Sequence, residues 1–133
     1  MRPSLLIIDD DEHLGVVLKR VLRGYDIILV TSAEDNLAGV AERGFDGILC
    51  DLSLPGKSGA DFYRKVSDVR PGQERVVRFI TGGATEIESE LLISKNPAAL
   101  LHKPFELDVL RHFVEDLVKQ QPKPRQPATT AAR

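Results

Sequence analysis

Residues that could bind a cation or a phosphoryl group follow four of the five short apolar runs in this chain. Asp9 and Asp10 follow the first run, and Asp51 follows the third. Thr81 follows the fourth run, and Lys103 lies just beyond the fifth. Oxygen-rich acids are the ligands that a hard divalent cation prefers, and an ammonium or a hydroxyl can hold an anionic oxygen. These residue types predict a site for a divalent cation and a phosphoryl group.

The apolar runs themselves predict the scaffold that brings these residues together. They are short and nearly continuous, which is typical of parallel strands covered on both faces. In open α/β sheets, functional residues collect outside the carboxyl ends of such strands. We therefore expect all five polar residues at one edge of one sheet. The runs cover residues 5–8, 27–30, 47–50, 76–80 and 98–101.

Apolar residues recur at helical spacing between and after these runs. The predicted stripes are Leu14, Val17, Leu18, Val21 and Leu22; Ala33, Leu37, Val40 and Ala41; Phe62, Val66 and Val69; and Leu107, Leu110, Val114 and Leu117. A helix of weaker periodicity is expected over about 85–95. Alternating strands and helices predict an α/β fold of the (βα)5 type. We expect a doubly wound, five-stranded parallel sheet with the flavodoxin-like order 2-1-3-4-5.

Composition and charge narrow the class of protein. The 133 residues correspond to one domain, and the net charge of −2 gives no electrostatic footprint for nucleic acid. Cys50 lies within a strand run, which favours a small buried side chain over a reactive thiol. No stretch approaches a membrane span of about 20 apolar residues, and we expect a cytoplasmic protein. The proline-rich residues 121–133 are expected to be a disordered tail or linker after a domain at 1–120.

The predicted strand order makes the first and third strands neighbours, so that Asp9 and Asp10 should meet Asp51. Acids packed together repel and raise one another's pKa, which a cation relieves. Mg²⁺ is the expected ion, with Mn²⁺ as a substitute. Lys103 should add a second positive charge, and Thr81 a hydrogen-bond donor. Asp51 lies between the cation and these two residues, and a carboxylate can act as the nucleophile that forms an aspartyl phosphate.

Four segments of the chain resemble the receiver domain of two-component response regulators. They are Leu-Leu-Ile-Ile-Asp-Asp-Asp at 5–11, Asp-Leu-Ser-Leu-Pro-Gly-Lys-Ser-Gly at 51–59, Ile-Thr-Gly-Gly at 80–83 and Lys-Pro-Phe at 103–105. The resemblance extends over about 1–120. The stretch from Phe79 to Phe105 is similar to receiver domains fused to hybrid histidine kinases. Within it, Leu100 stands where many receivers have an aromatic residue.

The resemblance implies a role for each matching residue. Asp51 is the implied phosphoacceptor, Asp10 a direct Mg²⁺ ligand, Asp9 the acid that holds metal-bound water, and Ser53 a ligand through its backbone carbonyl; Thr81 and Lys103 are the implied phosphoryl-sensing pair, and Pro104 the implied site of a cis peptide bond. Leu100 argues against an activation switch that depends on an aromatic side chain at that position.

The resemblance also implies partners. A sensor histidine kinase or a phosphotransfer protein would supply the phosphoryl group, and a downstream protein of unknown identity would read the change. The reading surface would lie on the last two helices and the fifth strand. No binding to nucleic acid or membrane is implied, and the domain would be a monomer or a phosphorylation-dependent dimer. It would assist its own phosphorylation and dephosphorylation without being a turnover enzyme.

Three other functions are compatible with a fold of this class. A receiver-like domain can act as an interaction module that needs no phosphorylation, which is the main alternative. A haloacid dehalogenase-like phosphatase would also form an aspartyl phosphate, but it requires a second acid where this chain has Ser53. Flavin binding is disfavoured, because three acids repel a phosphate unless a metal intervenes.

Overall fold

A five-stranded parallel sheet with helices on both faces forms the protein. The computed structural model describes residues 2–31, 37–51, 59–81 and 100–119. The strands are β1 (Ser4–Ile8), β2 (Asp26–Val30), β3 (Gly47–Asp51), β4 (Val77–Thr81) and β5 (Leu100–His102), and the helices are α1 (Glu12–Val21), α2 (Leu37–Arg43), α3 (Gly59–Val69) and α4 (Leu107–Lys119). A short 3₁₀ turn at Gln73–Val76 precedes β4. Ala33 of the second predicted stripe and the helix expected over about 85–95 lie outside the described residues.

The strand order is β2-β1-β3-β4-β5, which confirms the predicted flavodoxin-like arrangement. Every neighbouring pair is parallel. The register aligns Ile8 with Cys50, Asp51 with Ile80, and Thr81 with His102. The carboxyl ends of the five strands therefore reach one edge of the sheet at nearly the same level. We call this the carboxyl edge and the opposite one the amino edge.

Strand alternation divides the buried side chains into two clusters, one on each face of the sheet. The first lies under α2 and α3 and contains Leu6, Ile8, Val40, Ile48, Cys50, Phe62, Val66, Val77, Phe79 and Leu100. The second lies under α1 and α4 and contains Leu5, Ile7, Leu18, Leu22, Leu49, Ile80, Leu101, Leu110, Val114 and Leu117. Both faces of the sheet are covered, which explains why the strands read as continuous apolar runs.

Four residues of the predicted helical stripes are exposed instead of buried. Val17 is 38% exposed, Val69 39% and Leu107 45%, and Ala41 is also exposed. Val69 is the last residue of α3 and Leu107 is the first residue of α4, so both lie at the end of a helix. Among the described residues, none of the helices is long and apolar enough to cross a membrane.

Hydrogen bonds between side chains and backbone fix the amino edge. The backbone N–H of Ser4 donates to Asp46 Oδ2 at 2.7 Å. The side-chain amide of Gln73 makes two hydrogen bonds with the backbone of Phe45. Its Oε1 accepts from Phe45 N at 2.9 Å, and its Nε2 donates to Phe45 O at 2.8 Å. Gly44, with φ of +71°, turns the chain from α2 into β3, and a Cβ there would lie 2.6 Å from Arg70 Nε. These contacts join the α2–β3 turn to the segment before β4.

Two glycines give a matched test of this packing. A Cβ on Gly47 would lie 2.8 Å from methyl carbons of both Leu5 and Leu117, whereas one on Gly39 of α2 would meet nothing within 4 Å. We expect Gly47→Ala to lower the free energy of unfolding by about 1–3 kcal/mol through overpacking. Gly39→Ala should raise it by about 0.5–1 kcal/mol, because alanine favours helix. Urea unfolding of the two variants measures both, and equal effects would contradict the packing of α4 on β3.

Candidate functional site

Strand alternation places Asp9, Asp51 and Lys103 on the same side of the carboxyl edge. Each follows by two positions a residue of the cluster under α1 and α4, namely Ile7, Leu49 and Leu101. Because successive side chains of a strand point to opposite faces, residues two apart point the same way. The first and last polar residues of the predicted site therefore meet over the end of β3, although they are far apart in sequence.

The ammonium of Lys103 lies between two buried carboxylates. Its Nζ is 3.1 Å from Asp9 Oδ2 and 3.5 Å from Asp51 Oδ2. The residues Asp9 and Asp51 are only 8% and 3% exposed, whereas the Lys103 side chain is 26% exposed. Buried charges of this kind are costly unless they are paired, so one cation is shared by two acids.

A third acid joins this pair. The carboxylates of Asp9, Asp10 and Asp51 each offer an oxygen, and these oxygens lie within 4.8 Å of one another. Asp10 is exposed, which leaves the group open to solvent on one side. Three acids and one ammonium leave the group with an excess of negative charge when all are ionised. Oxygen ligands, negative charge and an open side fit a hard divalent cation such as Mg²⁺.

Burial and neighbouring charges shift the pKa values of Asp9 and Lys103. Burial raises the pKa of Asp9, and the nearby Asp51 carboxylate raises it further, whereas hydrogen bonds from the Asp11 backbone and from Lys103 oppose the rise. Burial acts to lower the pKa of Lys103, but its hydrogen bond to Asp9 and the charges of both acids outweigh burial and raise it. Lys103 is thus cationic at neutral pH, whereas ionisation of Asp9 is less favourable than that of a solvated aspartate.

Asp11 connects the site to the first helix. Its backbone N–H donates to Asp9 Oδ1 at 2.9 Å, and its side chain caps α1 by accepting from His13 N at 3.0 Å and Leu14 N at 3.2 Å. Asp11 is therefore the N-cap residue of α1. The contact with Asp9 was not foreseen, although an acid two residues before the amide that donates to it is a known turn pattern that could have indicated it.

Thr81 is the last residue of β4 and is 5% exposed. Its backbone carbonyl accepts from Lys103 N at 2.7 Å, which brings the start of the β5–α4 connection beside the end of β4. The Lys103–Pro104 peptide is cis, as the family resemblance implied. Leu100, at the position of the family's aromatic residue, is buried in the cluster under α2 and α3, where it pairs in register with Phe79.

Two further sequence predictions have different outcomes. Cys50, predicted to be a small buried residue, is 3% exposed and packs under α2 and α3, which confirms the prediction. Ser53, expected to offer its carbonyl to the metal, lies outside the described residues.

An open groove of about 540 Å³ lies beside Lys103, between the start of α1 and the start of α4. Its wall is largely apolar and is formed by Leu14, Val17, Pro104, Phe105 and Leu107, with Asp11 and Lys103 at its polar end. Phe105 is partly buried against the cluster under α1 and α4 and also lines this groove. Apolar surface therefore adjoins the charged site directly.

Comparison with known proteins decides the family. Residues 5–115 match the family described as the response regulator receiver domain. The chain belongs to this family. As a receiver domain, it shares its fold with a CheY-like receiver domain protein from Methanospirillum hungatei, which is 25% identical with a TM-score of 0.78 over 91% of this chain and 97% of that one.

Relatives of this receiver domain include regulators and a sensor. The hydrogenase transcriptional regulatory protein HoxA of Bradyrhizobium diazoefficiens is 30% identical, over 87% of this chain and 24% of its own length. The sensory/regulatory protein RpfC of Xanthomonas campestris pv. campestris is 28% identical, over 95% of this chain and 18% of its own length. The chain thus spans a quarter or less of these relatives, and its match in each is to one part of a longer protein.

The raised pKa of Asp9 predicts how stability depends on pH. A folded carboxyl with a raised pKa binds protons more readily than in the unfolded chain, so its ionisation destabilises the fold as pH rises above about 4. We expect Asp9→Asn to raise the free energy of unfolding at pH 7 in EDTA, with the gain shrinking as pH falls. Urea unfolding at several pH values tests this.

Asp61→Asn provides the control with the opposite sign. The hydrogen bond from Lys65 lowers the pKa of Asp61, together with the charges of Lys65 and Arg64. Neutralising Asp61 should therefore leave stability unchanged or slightly reduced at pH 7. An Asp9→Asn variant less stable than wild type at pH 7 would contradict the raised pKa of Asp9.

Proposed function

We propose that the domain is a phosphorylation-controlled switch in which Asp51 is the phosphoacceptor. The observation that carries this proposal is the Lys103 ammonium held between the buried carboxylates of Asp9 and Asp51 at the carboxyl edge. A site that concentrates acids and one fixed cation around a buried carboxylate suits phosphoryl transfer, which depends on positioning and charge neutralisation more than on acid–base chemistry. The receiver family supports the same assignment.

In the proposed reaction, an Asp51 oxygen attacks the phosphorus of a phosphohistidine on a partner. The new P–O bond forms an acyl phosphate, and the P–N bond breaks with its electron pair returning to the imidazole. Lys103 stabilises the oxygens of the incoming phosphoryl group, because its ammonium already lies beside Asp51. A sensor histidine kinase or a phosphotransfer protein is the proposed donor.

We propose that Asp9, Asp10, Asp51 and the backbone carbonyl of Ser53 hold Mg²⁺, for which Mn²⁺ can substitute. The support is the group of three carboxylates whose oxygens lie within 4.8 Å of one another. When bound, the cation would neutralise charge on the acids and on the phosphoryl oxygens. Asp9 would take part through metal-bound water and Asp10 directly, as the family pattern implies.

Thr81 and Lys103 are the proposed sensing pair. Addition of a phosphoryl group adds negative charge at Asp51, which draws a hydroxyl and an ammonium towards it and shifts a conformational equilibrium. The backbone hydrogen bond from Lys103 N to Thr81 O already links the two residues in the unphosphorylated domain. The proposed output surface includes β5 and α4 and is read by a downstream protein, either by a monomer or in a phosphorylation-dependent dimer.

The wider setting is also a proposal. We propose that 1–120 is the receiver unit, that 121–133 is a tail or linker, and that the protein is cytoplasmic; the composition and the lone buried cysteine support this. The relatives by name include a transcriptional regulator and a sensory protein, which is compatible with a stand-alone regulator or with a domain of a hybrid kinase. The domain would assist its own dephosphorylation without being a turnover enzyme.

The direct test is intact-mass analysis after incubation with acetyl phosphate. We expect wild type to gain one phosphoryl group only when Mg²⁺ is present, and the adduct to be removed by hydroxylamine, because an acyl phosphate is labile to this nucleophile. Asp51→Asn should gain none, whereas Asp116→Asn, an exposed acid on α4, should behave as wild type.

The same experiment distinguishes the main alternative. An adduct of equal amount on Asp51→Asn would show that another residue accepts the phosphoryl group. If wild type formed no adduct and also failed to bind beryllofluoride with Mg²⁺, the phosphorylation-independent interaction module would be favoured. Continuous hydrolysis of a small phosphomonoester would favour the phosphatase instead.

A second prediction separates phosphoryl uptake from the response to it. We expect Thr81→Ala to form the adduct at a rate within about threefold of wild type, because the nucleophile and its charged neighbours are retained. The adduct should nevertheless change the backbone amide NMR shifts of β5 and α4 less than in wild type. Thr31→Ala is the matched control, since Thr31 is an exposed threonine that follows β2 at the same edge. Equal shift changes in both variants would contradict the sensing role.

A further inference from the structure

Helix α1 presents apolar surface to solvent. Val16 is 60% exposed, which makes it the most exposed large apolar side chain among the described residues. Its neighbour Val17 also lines the groove beside Lys103, together with the exposed Leu107 of α4. The apolar surface therefore continues from α1 across the groove to the start of α4. Contiguous apolar surface of this kind marks a contact with another molecule.

Two charges of opposite sign flank Val16 on the same side of α1. Glu12 precedes it by four residues and Arg20 follows it by four, so the three side chains share one helix face. Glu12 and Arg20 are both exposed. Neither takes part in the ion pairs that the described residues form. Each charge is therefore available to a partner of the opposite sign.

We propose that this face of α1 joins two copies of the protein, with their α1 helices antiparallel about a twofold axis at Val16. Val16 then packs on Val16 of the second copy. Residues four apart are separated by about 6 Å along a helix. Glu12 of each copy therefore lies opposite Arg20 of the other, and each favourable ion pair occurs twice.

The sign pattern is the reason for choosing a second copy as the occupant. A partner of a single charge sign would attract one end of α1 and repel the other, whereas the same helix in reverse matches both ends. A residue on a twofold axis also meets its own copy, so a charge there would be repelled. The uncharged, apolar Val16 meets this requirement.

The size of the contact predicts its strength. Helix α1 has ten residues, which corresponds to a length of about 15 Å. Two such helices bury less area than a standard interface of about 1,600 Å². We therefore expect a weak dimer with a Kd on the order of 100 µM. The inference does not rest on the proposed function, because Glu12, Val16 and Arg20 lie outside the acid group and no phosphoryl group is needed.

Sedimentation equilibrium of the full chain without a phosphoryl donor is the first test. From about 10 µM to about 500 µM, we expect the average mass of wild type to rise towards that of a dimer. Val16→Lys should weaken the dimer at least about tenfold, because it places two like charges at the axis. Val109→Lys is the matched control, since Val109 is 49% exposed on α4 and does not line the groove. It should change the Kd less than about twofold.

Two results of this test would overturn the proposal. The first is a wild type that stays monomeric throughout, which would leave α1 open to a different protein. The second is a dimer that Val109→Lys disrupts and Val16→Lys does not, which would place the contact on α4.

Charge reversal provides the second test and examines the antiparallel pairing itself. Glu12→Arg and Arg20→Glu should each weaken self-association about tenfold, because each converts two attractive contacts into two repulsive ones. An equimolar mixture of the two variants restores attraction at both contacts, so the mixed dimer should form with a Kd within about threefold of wild type. Sedimentation velocity with one variant fluorescently labelled detects this mixed dimer. A mixture that associates no better than either variant alone would overturn the pairing of Glu12 with Arg20.

Discussion

Two carboxyl groups buried side by side are the constraint on which the carboxyl edge depends. Asp9 and Asp51 are almost inaccessible to solvent, and the described residues supply one ammonium to balance them. Burial raises the pKa of Asp9, and the neighbouring Asp51 carboxylate adds to the rise. A further positive charge beside these acids would lower the cost of ionising them. The fold therefore favours positive charge beside Asp9 and Asp51.

Parallel strand order is what creates the constraint. In the order β2-β1-β3-β4-β5, the strands that deliver Asp9 and Asp51 are adjacent, and the strand that precedes Lys103 lies two positions from β3. A lysine side chain is long enough to cross that distance, whereas a shorter cationic group would not be. The site therefore depends on the strand order and on the length of the Lys103 side chain. Its residues come from separate segments of the chain.

Much of this could be predicted from the sequence because periodicity is a direct physical signal. Apolar runs indicated the strands, and the acids after the first and third runs indicated a shared edge. Side-chain choices within the site could not be predicted. That Lys103 lies nearer to Asp9 than to Asp51, and that Asp11 donates to Asp9, depends on rotamers and on a local turn, which spacing does not determine. Exposure of Val17 and Leu107 was missed because both line the open groove beside Lys103, and a helical stripe does not reveal where such a groove lies.

The amino edge has a different relation to function. Its contacts, such as Ser4 with Asp46 and Gln73 with Phe45, are hydrogen bonds to backbone that involve none of the acids at the carboxyl edge. These hydrogen bonds and the acids of the carboxyl edge therefore lie at opposite ends of the same strands. A lineage of such domains could lose its acids through mutation and still fold, because the contacts that hold the scaffold would be untouched. The architecture is in this sense open to evolutionary reuse: the same frame can be retained while the chemistry at its far end is exchanged or abandoned.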